Sequence, residues 1–266
     1  EPSVELDIND AVTLEAVELF RPHLVLAPYL RRAIPEPVWR RHPCLVIHPG
    51  IVGDRGPSAL DWAIQGGEPD WGVTLIQAQA EMDAGPIWAS RSFPMRSAKK
   101  SSLYRNEVSE SALATVREAL ERLPEYLAGT WRPRPLDPAN ARGRWRPLMR
   151  QSDRAIDWGR EASATILRKI NAADGFPGVR DALLGHPCHL YNARSFPAAG
   201  APGELIGRWG DGVVRATADG ALWIGHIKRL DGEPRIKLPA RVAIPELEGL
   251  PELQHPDCGD PEIRYD

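Results

Sequence analysis

The chain has 266 residues and a formal net charge of −3, enough length for two domains and no electrostatic signature of a nucleic-acid binder. No apolar run is long enough to span a membrane. Cys44, Cys188 and Cys258 are odd in number, far apart and without metal-ligand spacing, so no metal site is expected, and a reducing, cytoplasmic setting is the simplest reading.

Val4–Ile8 reads as a strand, and Asn9 or Asp10 can cap a helix carrying Val12, Ala16, Leu19 and Phe20. Leu24–Ala27 is a second apolar strand, and Pro35–Arg41 is a short helix with proline near its start. Cys44–Ile47 is a third strand; lacking alternation, it should be buried on both faces, as in a parallel sheet. Ser58 can cap a helix over Ala59–Gln65 that Gly66-Gly67 ends, and Val73–Ala78 and Ile87–Phe93 are strands. A long helix starts near Ser102, with Leu113, Val116, Leu120, Leu123 and Leu127 on its apolar stripe.

Trp131–Arg150 breaks the pattern. It is rich in proline and arginine, with Arg142, Arg144, Arg146 and Arg150 clustered, and it is the expected domain boundary. Beyond it come Asp153–Trp158, a helix over Ser163–Ala172 and a turn at Gly175–Gly178. Short strands follow at Cys188–Tyr191, Glu204–Arg208, Gly212–Ala216 and Ala221–Ile227. The chain therefore divides into an α/β domain (1–130), a linker (131–150), a β-rich domain (151–255) and the start of a further linker (256–266).

Chemistry is concentrated in residues 44–88. One apolar run ends in His48-Pro49-Gly50 and continues as Gly53-Asp54-Arg55-Gly56-Pro57-Ser58. A second, Gly72-Val73-Thr74-Leu75-Ile76-Gln77, continues as Glu81-Met82-Asp83-Ala84-Gly85-Pro86-Ile87. An imidazole and a carboxylate delivered just past strand ends form an acid–base pair where open α/β sheets bind ligands. His48 can offer an N–H to a developing oxyanion, and Asp83 can orient the ring and favour its charged form. Gly50, Gly53, Gly56 and Gly85 let backbone approach a ligand closely. The two side chains are expected at the C-terminal ends of neighbouring parallel strands, within direct or single-water reach. Replacing either by alanine should abolish activity with little loss of folding.

Taken together, His48-Pro49, Arg55-Gly56, Trp62-Ala63-Ile64, Gly72-Val73-Thr74 and Asp83-Ala84-Gly85 resemble the folate-dependent formyltransferases. That likeness implies a Rossmann-like, mostly parallel sheet followed by a smaller β-rich, OB-like domain starting near Asp157-Trp158. It implies His48 and Asp83 as catalytic residues, with Gly50, Gly56, Thr74, Gln77 and Gly85 as substrate-binding positions. The runs His48–Ser58, Glu81–Ala89, Lys100–Arg105 and Ala172–Val179 are similar to the HypX/HoxX hydrogenase maturation family. In that family a formyltransferase-like half precedes an enoyl-CoA hydratase/isomerase-like domain.

The implied reaction passes a formyl group from 10-formyltetrahydrofolate to coenzyme A, ahead of carbon monoxide supply to nickel–iron hydrogenase maturation. Alternatives are an aminoacyl-tRNA or amino-sugar acceptor, or a catalytically silent folate- or CoA-binding module. A CoA acceptor would need cations and hydrogen-bond donors for its phosphates, with Arg96, Lys99, Lys100, Arg105, Arg150 and Gln151 as candidates. The resemblance also implies a missing first strand and helix, and hence a poorly stable fragment. One departure stands out. Formyltransferases carry Asn two positions before the histidine, and this chain has Val46, which offers no donor.

Overall fold

The computed structural model describes residues 4, 9–28, 30, 32–139, 141–232 and 235–255. Most of the first expected strand (5–8) and the expected linker start (256–266) lie outside the described residues. The chain forms two compact units: Glu1–Leu60, Glu68–Arg96 and Leu103–Leu148 make one, and Asp61–Gly67, Ser97–Ser102 and Met149–Asp266 make the other.

In the first unit, helix α1 (Asp10–Phe20) is capped by Asn9, whose side-chain oxygen accepts the Val12 N–H at 3.0 Å. Strand β1 (Val25–Pro28), helix α2 (Glu36–Trp39), strand β2 (Cys44–His48), helix α3 (Ala59–Gly66, which from Asp61 onward is counted with the second unit), and strands β3 (Asp70–Gln77) and β4 (Ile87–Pro94) follow in the chain. Sheet order is β1-β2-β3-β4. β1 and β2 are parallel, whereas β3 runs antiparallel to both neighbours, with His48 opposite Thr74 and Leu45 opposite Gln77. The sheet is therefore mixed, and the expected parallel arrangement of β2 and β3 is corrected. A parallel crossover needs a helix long enough to carry the chain back along the sheet. The eight residues of α3 cover only about 12 Å, and β3 re-enters beside the end that β2 has just left.

Helix α4 (Lys100–Leu103), a π-helical turn (Tyr104–Val108) and α5 (Ser109–Leu127) form the long helical segment. Its inward face differs from the expected leucine stripe: Leu113, Leu120 and Leu127 are 58%, 47% and 54% exposed. Ala112, Thr115 and Ala119 are buried instead. Small side chains let the helix axis come close to a sheet surface, and Val116, Leu123 and Tyr126 fill in beside Leu45, Leu75 and Trp88. The leucines sit one residue on, rotated about 100° away from that contact.

Residues 131–148, expected as a linker, are built into this unit. Trp131 packs edge-on against Trp88 at 5.1 Å, and Ile87 and Arg134 exchange backbone hydrogen bonds of 2.7 and 3.0 Å. Further along, Arg55 and Trp145 form a parallel bridge. Proline and alternating arginine hide this from composition, because backbone pairing of an extended segment needs no apolar periodicity.

The second unit contains helix α6 (Ser163–Ala172) and strands β5 (Val179–Leu183), β6 (His186–Phe196), β7 (Leu205–Trp209), β8 (Gly212–Ala216) and β9 (Ala221–Arg229). They form an antiparallel sheet in the order β5-β6-β9-β8-β7, with a short β10 (Leu238–Pro239) on β9. Ile166 and Ile170 of α6 pack on Leu190, Leu222, Ile224 and Ile227. Strand β5 escaped the sequence reading. It is joined to β6 by a two-residue turn, Leu184-Gly185, with φ of 48° and 84°, the geometry of a tight hairpin.

Cys44 and Cys188 are fully buried, and desolvation pushes both thiols up to about 12. Both should therefore stay protonated and resist iodoacetamide at pH 8 in the native protein while reacting after denaturation. Peptide mapping of the alkylated sites checks this, and native labelling of either residue would contradict the burial.

Candidate functional site

The site is assembled in the first unit at the end of β2. His48 is 4% exposed and sits between two carboxylates. Its Nε2 lies 2.9 Å from Asp54 Oδ2, and its Nδ1 lies 3.8 Å from Asp83 Oδ2. Asp83 belongs to the loop between β3 and β4. That loop starts at the far end of β3 but turns back tightly, with Gln77 N–H donating to the Pro86 carbonyl at 2.9 Å. A Cβ on Gly85 would stand 1.8 Å from the Gln77 carbonyl oxygen, so glycine is required for this return. Asp83 itself has φ of 56°, a left-handed conformation that aspartate tolerates better than most residues. Its carboxylate accepts the Gly56 N–H at 3.1 Å, which ties the two motif loops together.

The loop after His48 is held by residues 143–146 of the arginine-rich segment. Gly143 N–H donates to Val52 O at 3.0 Å, Arg55 N–H to Arg144 O at 3.2 Å, and Arg146 N–H to Arg55 O at 2.9 Å. Gly56 has φ of 111°, and a Cβ there would meet the Arg146 carbonyl oxygen at 2.1 Å. Gly50 lies equally tight, since its Cβ would come 2.5 Å from His48 Nε2 and 2.6 Å from Asp54 Oδ2. Thr74 is buried and donates its hydroxyl to the Gly50 carbonyl at 2.8 Å, while Trp71 Nε1–H donates to the Pro49 carbonyl at 2.9 Å.

Two members of this constellation were not singled out from the sequence. Asp54 was quoted only as part of a glycine-rich run, and Arg146 only as part of a basic cluster. The signal for Asp54 was its place between two loop glycines six residues after His48. Arg146 carried no comparable signal, because its nearness depends on backbone pairing between segments some ninety residues apart.

Of the expected substrate-binding positions, Gly50, Gly56 and Thr74 lie at His48, and Gly85 shapes the loop that returns Asp83. Gln77 does not come to His48. Its side chain accepts from Trp88 Nε1–H at 3.1 Å and donates to the Tyr126 hydroxyl at 3.3 Å, opposite Leu45 on β2. The expected phosphate-binding candidates are split between the units: Arg96 and Arg105 in the first, Lys99, Lys100, Arg150 and Gln151 in the second. Arg96 is paired with Glu107, which raises the guanidinium's proton affinity. Lys100 binds Asp61 at 3.0 Å, and the Gln151 side chain is engaged by the backbone of Gly178 and Arg180 at 3.0 Å each.

A glycine-rich strand-end loop, a buried imidazole and a returning Asp-x-Gly turn thus meet at one place, where the imidazole can offer an N–H to a developing oxyanion. Residues 6–120 match the family "Formyl transferase" and residues 148–236 match "Formyl transferase, C-terminal domain". The chain belongs to the formyl transferase family. Hydrogenase maturation factor HoxX from Bradyrhizobium diazoefficiens is 51% identical over 100% of this chain and 46% of its own length. The crystal structure of HypX from Aquifex aeolicus in complex with tetrahydrofolic acid superimposes with a TM-score of 0.84 at 42% identity, covering 93% of this chain and 43% of that one. The chain thus spans less than half the length of these two relatives. A methionyl-tRNA formyltransferase from Clostridium thermocellum shares the fold, with a TM-score of 0.55 at 19% identity over 71% of this chain. No helix among the described residues is long and apolar enough to cross a membrane.

Proposed function

We propose that this chain transfers a formyl group from 10-formyltetrahydrofolate to the thiol of coenzyme A, with His48 and Asp83 as its catalytic residues. The observation that carries the reading is the buried His48 with Asp83 3.8 Å from Nδ1, inside a formyl transferase fold. It is supported by the 42% identical HypX, whose crystal structure is in complex with tetrahydrofolic acid.

In this reaction the CoA sulfur attacks the formyl carbon and a C–S bond forms. The carbonyl oxygen becomes an oxyanion that the protonated His48 ring stabilises by hydrogen bonding. Collapse breaks the bond between the formyl carbon and N10, and the proton lost by the thiol ends on N10, relayed by His48 and Asp83. The products are formyl-CoA and tetrahydrofolate. A thiolate nucleophile has no nitrogen proton to lose after attack, which lightens the base chemistry. In the full-length protein a following enoyl-CoA hydratase/isomerase-like domain would release carbon monoxide from formyl-CoA for nickel–iron hydrogenase maturation, in the cytoplasm. Within the first unit, Arg96 and Arg105 are the candidates for the CoA phosphates.

The test is transfer of isotope-labelled formyl from 10-formyltetrahydrofolate in the full-length protein, with CoA, an amino sugar and methionyl-tRNA as competing acceptors. Label in formyl-CoA is the expected result. Label in either other acceptor would replace the CoA reading. Folate binding with no transfer to any acceptor would make the chain a silent binding module.

A further inference from the structure

We infer that Asp54, backed by Arg146, is a positioning residue that holds the His48 Nε2 proton, leaving Nδ1 as the nitrogen that faces the reaction and offsetting the donor lost at Val46. This rests on the formyl-transfer reading above.

Asp54 is 1% exposed, and no loop needs a fully desolvated carboxylate for solubility or turn formation alone. Its Oδ2 approaches His48 Nε2 at 2.9 Å. Its Oδ1 is buried without a hydrogen-bond partner, and so is Arg146 Nε, which stands 3.9 Å away. A buried, under-satisfied carboxylate persists only where the surrounding structure fixes it. Here the fixing is visible: Asp54 N–H donates to Ile51 O at 2.9 Å, and a Cβ on Gly143 would stand 1.9 Å from Asp54 N. Arg146 is held in turn over the Trp71 ring at 5.5 Å and lies 3.6 Å from Glu68.

The consequence for His48 follows from its two nitrogens. A carboxylate can only accept, so Nε2 carries a proton in both the neutral and the charged ring. Nδ1 is then the nitrogen that gains and loses a proton. It faces Asp83 across 3.8 Å, too long for a hydrogen bond, so no protein acceptor is bonded to it there. The charged groups around the ring are Asp54 and Asp83 in contact, Arg146 with Glu68 behind Asp54, and the Arg55–Glu81 pair on the two motif loops. When the ring is charged, its Nδ1–H is a charge-assisted donor, which makes a stronger hydrogen bond than the neutral amide of an asparagine. That is how the site can work with Val46.

Histidine labelled with 15N in the ring reads this directly in the full-length protein without folate or thiol, with the His48 signal assigned by His48→Gln. The expected spectrum has neutral His48 protonated on Nε2, and in Asp54→Asn the Nδ1-protonated tautomer grows in beside it. Asp54→Asn should also lower kcat by about a hundredfold with the folate KM changed less than about threefold. If Asp54→Asn does not fold, the tautomer in the unsubstituted protein and in Arg146→Gln decides. A neutral ring protonated on Nδ1, or an unmoved tautomer ratio in a folded Asp54→Asn, overturns the inference. The expected tautomer in a protein that transfers no formyl would leave the positioning role standing and remove the formyl-transfer reading instead.

Discussion

Replacing His48 by alanine should lower formyl transfer by about a thousandfold, and Asp83→Ala should cost at least about a hundredfold, as the proposed catalytic roles of the two side chains require. The two variants should differ sharply in stability. His48→Ala leaves Asp54 buried opposite a cavity with its closest partner gone, a loss of about 3–5 kcal/mol. Asp83→Ala removes a carboxylate with 12% of its side chain exposed and one hydrogen bond from Gly56, a loss of about 1 kcal/mol. The sequence expectation that both substitutions spare the fold is therefore revised for His48. Turnover with labelled donor, alongside urea melts of both variants, checks the pair. Near-normal turnover in either folded variant would remove its catalytic role.

Gly56→Ala is the second large effect. The residue has φ of 111°, and the added Cβ would lie 2.1 Å from the Arg146 backbone oxygen, which no side-chain rotation relieves. Strain and clash together should cost about 2–4 kcal/mol, lowering Tm by roughly 5–10 °C. Activity should fall as well, by about tenfold or more, because the Gly56 N–H that holds Asp83 must move. Gly249→Ala is the control: nothing lies within 4 Å of its added Cβ, and its stability should not change. Calorimetry on both variants would settle the matter, and an unchanged melt for Gly56→Ala would mean that the loop and residues 143–146 are not packed as described.

The sequence by itself determined the apolar strands from Leu24 to Phe93, a helix start at Asn9 or Asp10, the helix over Ser163–Ala172 and the two strand-end motifs with His48 and Asp83. These are local signals: hydrophobic period, side-chain caps and glycine positions depend on neighbours a few residues apart. It also carried the family, because the order of His48-Pro49, Arg55-Gly56, Gly72-Val73-Thr74 and Asp83-Ala84-Gly85 is collinear. Tertiary structure alone decided four things. The antiparallel run of β3 depends on which end of the sheet a short helix delivers the chain to. The inward face of α5 depends on how closely small residues let it approach the sheet, which a leucine count cannot rank. The incorporation of residues 131–148 depends on backbone hydrogen bonds, to which side-chain composition is blind. Asp54 and Arg146 depend on all of these at once. A buried charge is stable only where partners from separate segments converge on it, and that convergence is a property of the fold rather than of any stretch of sequence.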